Sequence, residues 1–540
     1  MQKTLIVGGV AGGASAAARL RRLNEKAEII IFERGEHISF ANCGLPYYIG
    51  GEIVDKEELT LQTPESFQAR FNIDVRILNE VIQVDKKAKT ITVKNHKTNE
   101  VYTESYDKLI LSPGAEPIKP NLEGISSDKV FTLRNIPDTL KIKEYIEANQ
   151  CKSVAIVGGG FIGVEMAENL RAIGLKVTLI EMQDQIIAPL DYEMACDVRR
   201  YMEYKGVTLI LKNGVKAIVD NGDTLTVKLS EGEVCADIFI MAIGVRPESS
   251  LAREAGLAVS ERGHIMVGNN MLTSDSDIFA VGDAVGPIPL AGPANKQGRI
   301  AANVICGLDS EYPGTKGSAI LKIFDMTVAA TGINEKAARW LGLDYDKSFT
   351  YSANHATYYP GVTYMSIKTI FEKKTGKILG AQIVGFDGVD KRCDVFATAI
   401  YAGLTAYDLA KLELCYAPPY SSAKDPVNIA GFVIENLMTN KVKHFHWHDV
   451  NSLSLDGSVT LLDIRTRTEY AAGTIEGFIN IPLDELRSRL NELDKSTPVY
   501  VTCQVGLRGY LAARILMQNG FEVYNLSGGY RLYKNVVKPF

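Results

Sequence analysis

Short apolar runs that end in glycine recur in the first half of the chain. Residues 4–9 read TLIVGG, and a helical stretch and a second apolar run, AEIIIFE, carry the pattern on to Glu33. The same order returns with SVAIVGGG at residues 153–160 and with LKVTLIE, which ends at Glu181. Continuous apolar runs of this length, bounded by glycine, are typical of buried parallel strands. The pattern therefore predicts the same strand–turn–helix–strand unit twice.

Other patterns follow along the chain. Residues 107–114 (DKLILSPG) and 276–284 (SDIFAVGDA) predict two more buried strands that enter turns. From about residue 316, alternating stretches such as AILKIFDMTVAATG and KILGAQIVGF predict antiparallel strands, and a helical pattern follows at 391–413. The segment 440–452 is polar and predicts a linker.

The last part of the chain, residues 459–540, alternates strand and helix patterns. The runs VTLLDIR, VYVTC and EVYNL predict strands, and residues 483–493 and 508–519 predict helices. This alternation predicts a separate, compact α/β unit.

Composition limits the classes of protein to which the chain can belong. Its 540 residues suggest roughly three or four domains, and its net charge of −5 gives no basic footprint for nucleic acid. The N-terminal MQKTLIVGGVAGG is too short and too soon broken by glycine for a signal peptide or a membrane span. Eight cysteines without paired spacing indicate a reducing setting. We therefore expect a cytoplasmic protein with neither nucleic acid nor membrane as a partner.

Each glycine-rich turn has the features of a nucleotide site. Glycine lets a pyrophosphate approach the N-terminus of the next helix, where backbone N–H groups and the helix dipole favour an anion. The acid that ends the next strand can accept hydrogen bonds from a ribose diol. The residues predicted at the first site are Gly8, Gly9, Ala11, Gly12 and Glu33. The residues predicted at the second site are Gly158, Gly160, Phe161, Ile162, Gly163, Glu165 and Glu181.

Glu181 also bears on the choice of nucleotide. A 2′-phosphate would meet its carboxylate, and the next two residues, Met182 and Gln183, offer no arginine. The sequence therefore favours NADH, with NADPH as the alternative.

The two dinucleotide units and the AVGDA segment resemble the pyridine nucleotide-disulfide oxidoreductase family, over about residues 1–440. The resemblance implies FAD at the first unit, NAD(P)H at the inserted second unit and dimerisation through the third region. It also implies that Asp283 contacts the ribityl–phosphate part of the flavin and that Ser112 and Gly114 line the adenine–pyrophosphate side. Further cofactor-binding positions that it implies are Arg34, Asn42, Val81, Ala294 and Gly244.

Cys43, within SFANCGLP, is the candidate redox residue. Reductases of this family usually carry two cysteines a few residues apart, but the next one here is Cys151, in a different predicted domain. A lone thiol at this place would form a mixed disulfide, a persulfide or a sulfenic acid. The alternative is a buried structural cysteine.

The segment around Cys43 resembles that of coenzyme A-disulfide reductases, within the single-cysteine branch of the family. Related NADH oxidases and peroxidases share the lone cysteine. They typically have a histidine in the first glycine turn, where this chain has Ala11. Without that proton donor, an oxygen or peroxide substrate is disfavoured.

One face of the first predicted helix supports a CoA-type ligand. Ser15, Arg19 and Arg22 lie at positions i, i+4 and i+7 and so share that face. Two guanidinium groups suit phosphates, and a solvated charged face is the alternative. By the same resemblance, the CoA site is also bordered by Ser39, Asn42, Asn303 and Lys424.

Two tyrosine-containing stretches also match that branch, residues 354–361 (NHATYYPG) and 416–426 (YAPPYSSAKDP). In similar enzymes a tyrosine from each stretch approaches the redox cysteine, the second from the partner subunit. We assign Tyr358 and Tyr416, whose phenols can hydrogen-bond or protonate a leaving thiolate. Tyr359 is the alternative to Tyr358, and aromatic packing in a dimer interface is the alternative to catalysis.

Residues 450–540 resemble a rhodanese domain. The active-site loop would run CQVGLRG, from Cys503 through Arg508. Loop amides, the start of the next helix and Arg508 point at the sulfur, which predicts a lowered thiol pKa and a stabilised thiolate or persulfide. A phosphatase loop, which is one residue longer, and a module without catalysis are the alternatives. The other matching motifs are DIR at 463–465, EY at 469–470, GTI at 473–475 and INIP at 479–482.

Three histidines, His444, His446 and His448, alternate within the predicted linker. On a strand they would share one face, which suggests a metal site. No cysteine or acid cluster accompanies them in the sequence, so we expect no metal and a packed linker.

The expected fold class is α/β, with two Rossmann-like dinucleotide-binding domains, an α+β dimerisation domain and a C-terminal α/β rhodanese domain. The expected boundaries are 1–112 with 246–315 for the FAD domain, 113–245 for the NAD(P)H domain, 316–440 for the dimerisation domain, 441–452 for the linker and 453–540 for the rhodanese domain.

The expected function is FAD-dependent, NADH-driven reduction of CoA persulfide, CoA polysulfide or CoA disulfide through Cys43. We expect a homodimer whose active sites are completed across the interface. Cys503 would accept or donate sulfane sulfur, adding sulfurtransferase activity. The alternatives are an NADH oxidase or peroxidase, and a flavin redox sensor whose rhodanese module serves for docking.

Overall fold

The computed structural model describes residues 2–286 and 288–537. The chain separates into two compact units. The first contains the residues up to Gln183 and those from Gly206 to Thr315, and the second contains Asp184–Lys205 and the residues from Lys316 onward.

Helices and strands alternate along most of the chain. The helices of the described residues are α1 (Ala11–Leu23), α2 (Leu45–Ile49), α3 (Pro64–Phe71), α4 (Ile136–Ala148), α5 (Phe161–Ala172), α6 (Tyr192–Tyr204), α7 (Ser250–Glu254), α8 (Ala291–Ile305), α9 (Glu335–Trp340), α10 (Val389–Ala402), α11 (Ala406–Lys411), α12 (Pro426–Met438), α13 (Arg467–Ala471), α14 (Leu483–Leu486), α15 (Leu507–Gln518) and α16 (Gly529–Val537). Their strands are β1 (Lys3–Val7), β2 (Glu28–Glu33), β3 (Asp74–Ile77), β4 (Asn79–Asp85), β5 (Thr90–Asn95), β6 (Val101–Ser105), β7 (Lys108–Leu111), β8 (Ala115–Pro117), β9 (Val130–Thr132), β10 (Ser153–Val157), β11 (Lys176–Ile180), β12 (Thr208–Ile210), β13 (Val215–Asp220), β14 (Leu225–Leu229), β15 (Glu233–Ala236), β16 (Ile238–Met241), β17 (Val245–Pro247), β18 (Ile278–Ala280), β19 (Ala319–Ile323), β20 (Met326–Gly332), β21 (Tyr345–Ala353), β22 (Tyr364–Glu372), β23 (Ile378–Gly385), β24 (Lys443–Phe445), β25 (Thr460–Asp463), β26 (Ile479–Asn480), β27 (Val499–Thr502) and β28 (Val523–Leu526).

Two parallel five-stranded sheets form the frame of the first unit, in the orders β18-β7-β1-β2-β3 and β12-β11-β10-β16-β9. In each sheet the strand that leads into a glycine turn lies in the middle. It pairs in parallel with the strand that follows the helix, Val7 opposite Phe32 and Val157 opposite Ile180. The turns therefore lie at the carboxyl edges of central strands, where parallel sheets bind nucleotides. The predicted pair of units is confirmed.

The apolar runs are continuous because both faces of the first sheet are covered. Leu5 and Ile30 pack into the core on one face, while Ile6 and Ile31 pack into the core on the other. Burial on both faces removes the alternation that a half-exposed strand would show.

The second unit contains an antiparallel five-stranded sheet, β19-β20-β23-β22-β21, and a parallel one, β24-β28-β27-β25-β26. Helices α10, α11 and α12 share a core with the antiparallel sheet. The predicted helical stretch at 391–413 is interrupted because Gly403 adopts a left-handed conformation, with φ of 70°. The helix predicted at 483–493 is reduced to α14 and a 3-10 turn at Leu490–Glu492.

The segment 441–452, expected to be a linker, contains part of the C-terminal sheet. Strand β24 pairs in parallel with β28 along its whole length. Phe445 is buried against Tyr500, with ring centroids 5.1 Å apart. The sequence pattern did not predict this strand, because only one side of it faces the core and many of its neighbouring residues are polar.

A helix with the length and apolar character needed to cross a membrane is absent from residues 2–286 and 288–537.

Candidate functional site

Close backbone approaches shape the first glycine turn. Gly8 has φ of +93°, and a Cβ at this position would lie 2.1 Å from the Ser112 carbonyl oxygen. The Gly9 N–H donates to Glu33 Oε2 at 3.0 Å, and the Gly35 N–H donates to Oε1 at 2.9 Å. These two bonds hold the carboxylate at the turn and leave acceptor capacity for a ribose diol.

A cleft of about 760 Å³ opens beside this turn. The buried Oδ1 of Asn42 borders the cleft and has no hydrogen-bond partner among the described residues. An unsatisfied buried acceptor next to a cavity of this size is typical of a ligand site. The residues present therefore fit the flavin dinucleotide that the resemblance implies. The predicted positions that line the cleft are Gly8, Glu33, Arg34, Asn42, Val81, Ser112 and Gly114.

The other predicted flavin positions lie around the turn. Ala11 begins α1, and a Cβ on Gly12 would lie 3.6 Å from the Ala294 carbonyl oxygen. Asp283 accepts a hydrogen bond from Arg134 Nη2 at 3.1 Å. Sequence analysis missed Arg134, which also lines the cleft. It follows β9, at the carboxyl edge of a parallel sheet, but its contact with Asp283 is formed only by packing between distant elements.

The second glycine turn repeats the geometry of the first. A Cβ on Gly158, which has φ of +108°, would lie 2.3 Å from the Ala242 carbonyl oxygen. The Gly159 N–H donates to Glu181 Oε2 at 2.7 Å, and the Gln183 N–H donates to Oε1 at 2.8 Å. This is the Gly9–Glu33–Gly35 arrangement again, which fits a second dinucleotide. Phe161, Ile162 and Gly163 form the first turn of α5 after Gly160, and Gly244 follows β16.

Cys43 lies in a short 3-10 turn directly before α2. Its segment is attached to the first glycine turn, because the Ser39 N–H donates to the Gly9 carbonyl at 2.9 Å. Partial burial and then the carboxylates of Glu165 and Asp283 raise the pKa of the thiol. The structure thus brings the lone cysteine near one predicted residue of each nucleotide site.

Glu165 is a candidate proton donor or acceptor near Cys43. Burial raises its pKa to about 7, and the neighbouring Glu168 adds to the shift. A carboxyl group with a pKa near neutrality can give or take a proton under ordinary conditions. Glu165 therefore has a chemical capacity beyond the nucleotide contact predicted for it.

The arginine face of α1 is extended by α8. Arg19 Nε donates to Asn303 Oδ1 at 2.8 Å, which joins two predicted CoA-site residues. Desolvation and then the charges of Arg299 and Arg22 lower the pKa of Arg19. The Ser15 hydroxyl hydrogen-bonds to the side chain of Asn295, which is also on α8. Sequence analysis missed Arg299, because only the packing of α1 on α8 brings it to this face.

The predicted tyrosines lie in the second unit. The hydroxyls of Tyr358 and Tyr416 are 3.1 Å apart, and both side chains are exposed. Tyr359 instead packs against His355, with ring centroids 5.5 Å apart. Because Tyr358 and Tyr416 hydrogen-bond within one chain, the expectation that each subunit supplies one of them is wrong. They form a pair on one subunit.

Arg392, which sequence analysis missed, connects the two tyrosine-containing stretches. It is fully buried and donates to the Asn354 carbonyl and to Asp425 Oδ2, both at 2.9 Å. Losing this charge would leave the buried Asp425 carboxylate to the more distant Lys391, 3.8 Å away, and would release both stretches. Lys424 is exposed next to Asp425.

Cys503 follows β27 and opens the loop to α15. The Gly506 N–H donates to its Sγ at 3.0 Å, so a loop amide points at the sulfur as predicted. Burial nevertheless raises the thiol pKa, and this outweighs the lowering by the loop amides and Arg508. The expected lowered pKa is therefore wrong. Cys503 is fully buried, and Arg508 is already paired with Glu469 at 2.6 and 2.7 Å.

A second buried arginine, Arg465, connects the DIR and GTI motifs of the C-terminal module. Arg465 donates to Asp463 Oδ2 at 2.6 Å and to the Gly473 carbonyl at 2.7 Å, and its guanidinium lies 4.0 Å from the centroid of the Tyr530 ring. The Tyr530 N–H donates to the Cys503 carbonyl at 2.8 Å. Through Tyr530, the DIR and GTI motifs thus help to hold the loop that begins at Cys503.

Comparison with known families agrees with this geometry. The model of the pyridine nucleotide-disulphide oxidoreductase family matches residues 2–298, and the model of its dimerisation domain matches residues 318–426. The rhodanese-like domain model matches residues 447–535.

Individual proteins are similar over most of their length. The coenzyme A disulfide reductase of Staphylococcus aureus (strain JH9) is 38% identical over 443 residues, which cover 80% of this chain and 99% of that protein. The crystal structure of reduced Bacillus anthracis CoADR-RHD is 52% identical, with a TM-score of 0.97 over 99% of this chain and 98% of that one. The NAD-dependent persulfide reductase from A. fulgidus is 37% identical, with a TM-score of 0.92 over 98% and 100%.

These matches confirm the resemblance and the fold class. The family model covers more than half of the chain, and the glycine turns, the cleft and the lone cysteine lie within it. The chain belongs to the pyridine nucleotide-disulphide oxidoreductase family and carries that family's dimerisation domain and a C-terminal rhodanese-like domain.

Proposed function

We propose that the protein is an FAD-dependent reductase that uses NADH to reduce CoA disulfide or CoA persulfide through Cys43, with a second sulfur site at Cys503. The observation that carries this proposal is the setting of Cys43. It lies beside the first glycine turn, from which the arginine-bearing helix α1 starts. All eight cysteines are free thiols in the described structure, so Cys43 has no disulfide partner within the chain, which supports a bond to a sulfur of the substrate.

The activities of the relatives agree with this setting. The S. aureus relative is a coenzyme A disulfide reductase, and the A. fulgidus relative is an NAD-dependent persulfide reductase. This chain covers almost the full length of both proteins. The rhodanese-like domain adds a place where sulfane sulfur can be held.

Cys43 carries the substrate sulfur. Its thiolate attacks one sulfur of the substrate, the S–S bond breaks, and the other half leaves as a thiol. FAD and NADH, when bound, supply the electron pair that cleaves the resulting mixed disulfide. One CoA disulfide, one NADH and one proton then give two CoA thiols and one NAD⁺. A CoA persulfide gives one CoA thiol and hydrogen sulfide.

Protons reach the sulfur from nearby groups of the chain. Glu165, with a pKa of about 7, acts on the Cys43 thiol and can supply the proton of each cycle. In a homodimer, we propose that the Tyr358–Tyr416 pair of one subunit reaches Cys43 of the partner subunit and hydrogen-bonds the leaving thiolate. The dimerisation-domain match supports this arrangement.

Three further points belong to the proposal. NADH is preferred over NADPH because Glu181, held by Gly159 and Gln183, would repel a 2′-phosphate. The cytoplasm suits a chain of free thiols. The proposed boundaries are those expected from sequence, except that the C-terminal domain begins at β24.

An NADH oxidase or peroxidase is the rival within the family. Ala11 begins α1 at the place where such enzymes have a histidine, so no imidazole of the first turn can serve an oxygen substrate. A flavin redox sensor is the other rival. It would accept electrons from NADH without sustained turnover on a sulfur substrate.

One set of assays separates these functions. NADH and NADPH consumption is measured in parallel with CoA disulfide, CoA persulfide, inorganic polysulfide, oxygen and hydrogen peroxide. We expect sustained turnover with a CoA-linked substrate and NADH, lost in Cys43→Ser. Cys235→Ser, at an exposed free thiol on β15, is the matched control and should keep full activity. Faster turnover with oxygen or peroxide would favour the oxidase, and no turnover would favour the sensor.

A further inference from the structure

The histidines of β24 lie along one side of an edge strand. His444 belongs to β24 and His446 follows it directly, so residues two apart share a face. Phe445, between them, turns the other way into the core. This edge of the C-terminal sheet has no strand partner among the described residues.

A carboxylate from a distant part of the chain meets these imidazoles. Asp346 lies on β21, the edge strand of the antiparallel sheet in the same unit. Its Oδ2 is 3.0 Å from His444 Nε2, and its Oδ1 is 3.6 Å from His446 Nε2. The acid that the sequence did not show near the histidines is therefore supplied 98 residues away.

The spacing of these donors suits a metal ion. One donor atom from each of Asp346, His444 and His446 lies within 4.8 Å of the other two, and among the described residues no other His, Cys, Asp and Glu side chains form such a group. Bonds of about 2.0–2.1 Å in a tetrahedral site put donors roughly 3.3 Å apart. The observed distances of 3.0 Å to Asp346 Oδ2 and 3.6 Å to Asp346 Oδ1 lie on either side of that value.

The backbone holds the carboxylate of this group in place, because Asp346 Oδ1 accepts the Lys347 N–H at 2.8 Å. The neighbouring cation Lys347 has its own partner, because its Nζ is paired with Glu335 Oε2 at 2.8 Å. His448 is engaged elsewhere, with Nδ1 2.9 Å from Asp449 and Nε2 3.4 Å from Lys347 Nζ.

We propose that Asp346, His444 and His446 form a binding site for one divalent transition-metal ion, Zn²⁺ in the first place. Two imidazoles and a carboxylate suit zinc and its neighbours rather than Mg²⁺ or Ca²⁺, which prefer oxygen donors throughout. Three protein ligands leave a fourth position for water. The ion joins the free edges of two sheets, and so fixes the C-terminal sulfur module to the dimerisation sheet.

The test uses the full-length, flavin-loaded protein. Accessible thiols are first alkylated, because free cysteines also bind zinc. Bound metal is then removed with a chelator, and Zn²⁺ or Co²⁺ is added back. The readouts are metal content after gel filtration, the Co²⁺ absorption spectrum and the shift of the melting temperature on adding Zn²⁺. The variants are Asp346→Asn and His444→Gln, both of which keep a polar side chain of similar size.

His96→Gln is the matched control. His96 Nε2 pairs with Glu80 at 2.8 Å, which is a histidine–carboxylate pair without a third donor. We expect one ion per chain, a tetrahedral Co²⁺ spectrum without thiolate bands, and a higher melting temperature with Zn²⁺. Each site variant should bind at least about tenfold more weakly, while His96→Gln should bind like the unmodified chain. Failure to retain metal, or equal loss in His96→Gln, would overturn the proposal. Neither result depends on reductase activity.

Discussion

One face of α1 and α8 carries positive charge, and Arg22 and Arg299 both act on Arg19 there. Their repulsion of Arg19 is unfavourable in the free protein. A phosphate-bearing ligand removes that repulsion and forms charge-assisted hydrogen bonds. At the scale of single residues, we propose that this face distinguishes a CoA-linked sulfur from a small polysulfide.

Replacing Arg22 or Arg299 with alanine should therefore raise KM for CoA disulfide. We expect roughly a tenfold increase for each, with kcat nearly unchanged, because binding to a remote phosphate is the same in the ground and transition states. Steady-state kinetics with CoA disulfide and inorganic polysulfide measure the effect. Arg253→Ala, at an exposed arginine of α7, is the control. An equal loss with both substrates would show that the face is structural.

At the scale of elements, each nucleotide site depends on how closely a helix start approaches its turn. A Cβ on Gly163 would lie 1.9 Å from the Gly158 carbonyl oxygen, whereas a Cβ on Gly160 would meet nothing within 4 Å. Gly163 therefore fixes the distance from α5 to the turn. Gly160 tolerates a side chain in the unliganded protein.

Gly163→Ala should push α5 away from the glycine turn. We expect a loss of stability of about 1–3 kcal/mol from overpacking and a raised KM for NADH, with flavin retained. Thermal unfolding without nucleotide and NADH kinetics measure these effects. Gly160→Ala should leave the melting temperature unchanged. Equal melting temperatures for both variants would mean that the contact does not fix the helix.

A buried charge cluster joins α6, α9 and β22 in the second unit. Lys368 is fully buried, and its Nζ lies 2.6 Å from Glu193, 2.8 Å from Asp191 and in hydrogen-bond contact with Glu335. Burial alone would raise the pKa of Glu335, but the charges of Lys368 and Lys347 lower it to about 2. Glu335 therefore stabilises the fold above its unfolded pKa, and that contribution is lost as the pH falls towards 2.

Lys368→Met should leave three buried carboxylates without their shared cation. We expect a loss of about 3–5 kcal/mol at neutral pH, and a smaller further loss on acidification from about pH 4 to 2 than in the unmodified protein. Urea unfolding at several pH values measures both. Lys373→Met, at an exposed lysine 3.6 Å from Asp344, should change little. Similar stabilities for the two variants would contradict this role of Lys368.

The features that the sequence predicted well are local. The glycine turns, the acids after β2 and β11, and the loop from Cys503 to Arg508 each depend on residues close together along the chain. Arg134, Arg299, Arg392 and Asp346 escaped prediction, because each reaches its partners through packing between distant elements. The pKa of Cys503 was misjudged for a related reason. The loop residues alone predict neither the full burial of Cys503 nor the pairing of Arg508 with Glu469.

At the scale of the whole molecule, the proposed function divides the sulfur chemistry between two cysteines. Cys43 belongs to the first unit, beside the flavin cleft, and Cys503 lies in the C-terminal module of the second unit. Cys503→Ser should abolish sulfur transfer from thiosulfate and keep CoA disulfide reduction close to that of the unmodified enzyme. A partial loss with persulfide substrates would fit delivery of sulfur from Cys503 to Cys43. Loss of CoA disulfide reduction in folded, flavin-loaded Cys503→Ser would contradict the division.

The most direct measurement of the central claim is rapid mixing of Cys43→Ser, loaded with FAD, first with NADH and then with CoA disulfide. NADH should bleach the flavin absorbance at the rate of the unmodified enzyme, because the nucleotide sites are untouched. CoA disulfide should then fail to restore the absorbance, whereas it restores it within one turnover in the unmodified enzyme. If CoA disulfide restored the absorbance equally fast in Cys43→Ser, Cys43 would not be the thiol that passes electrons to the substrate.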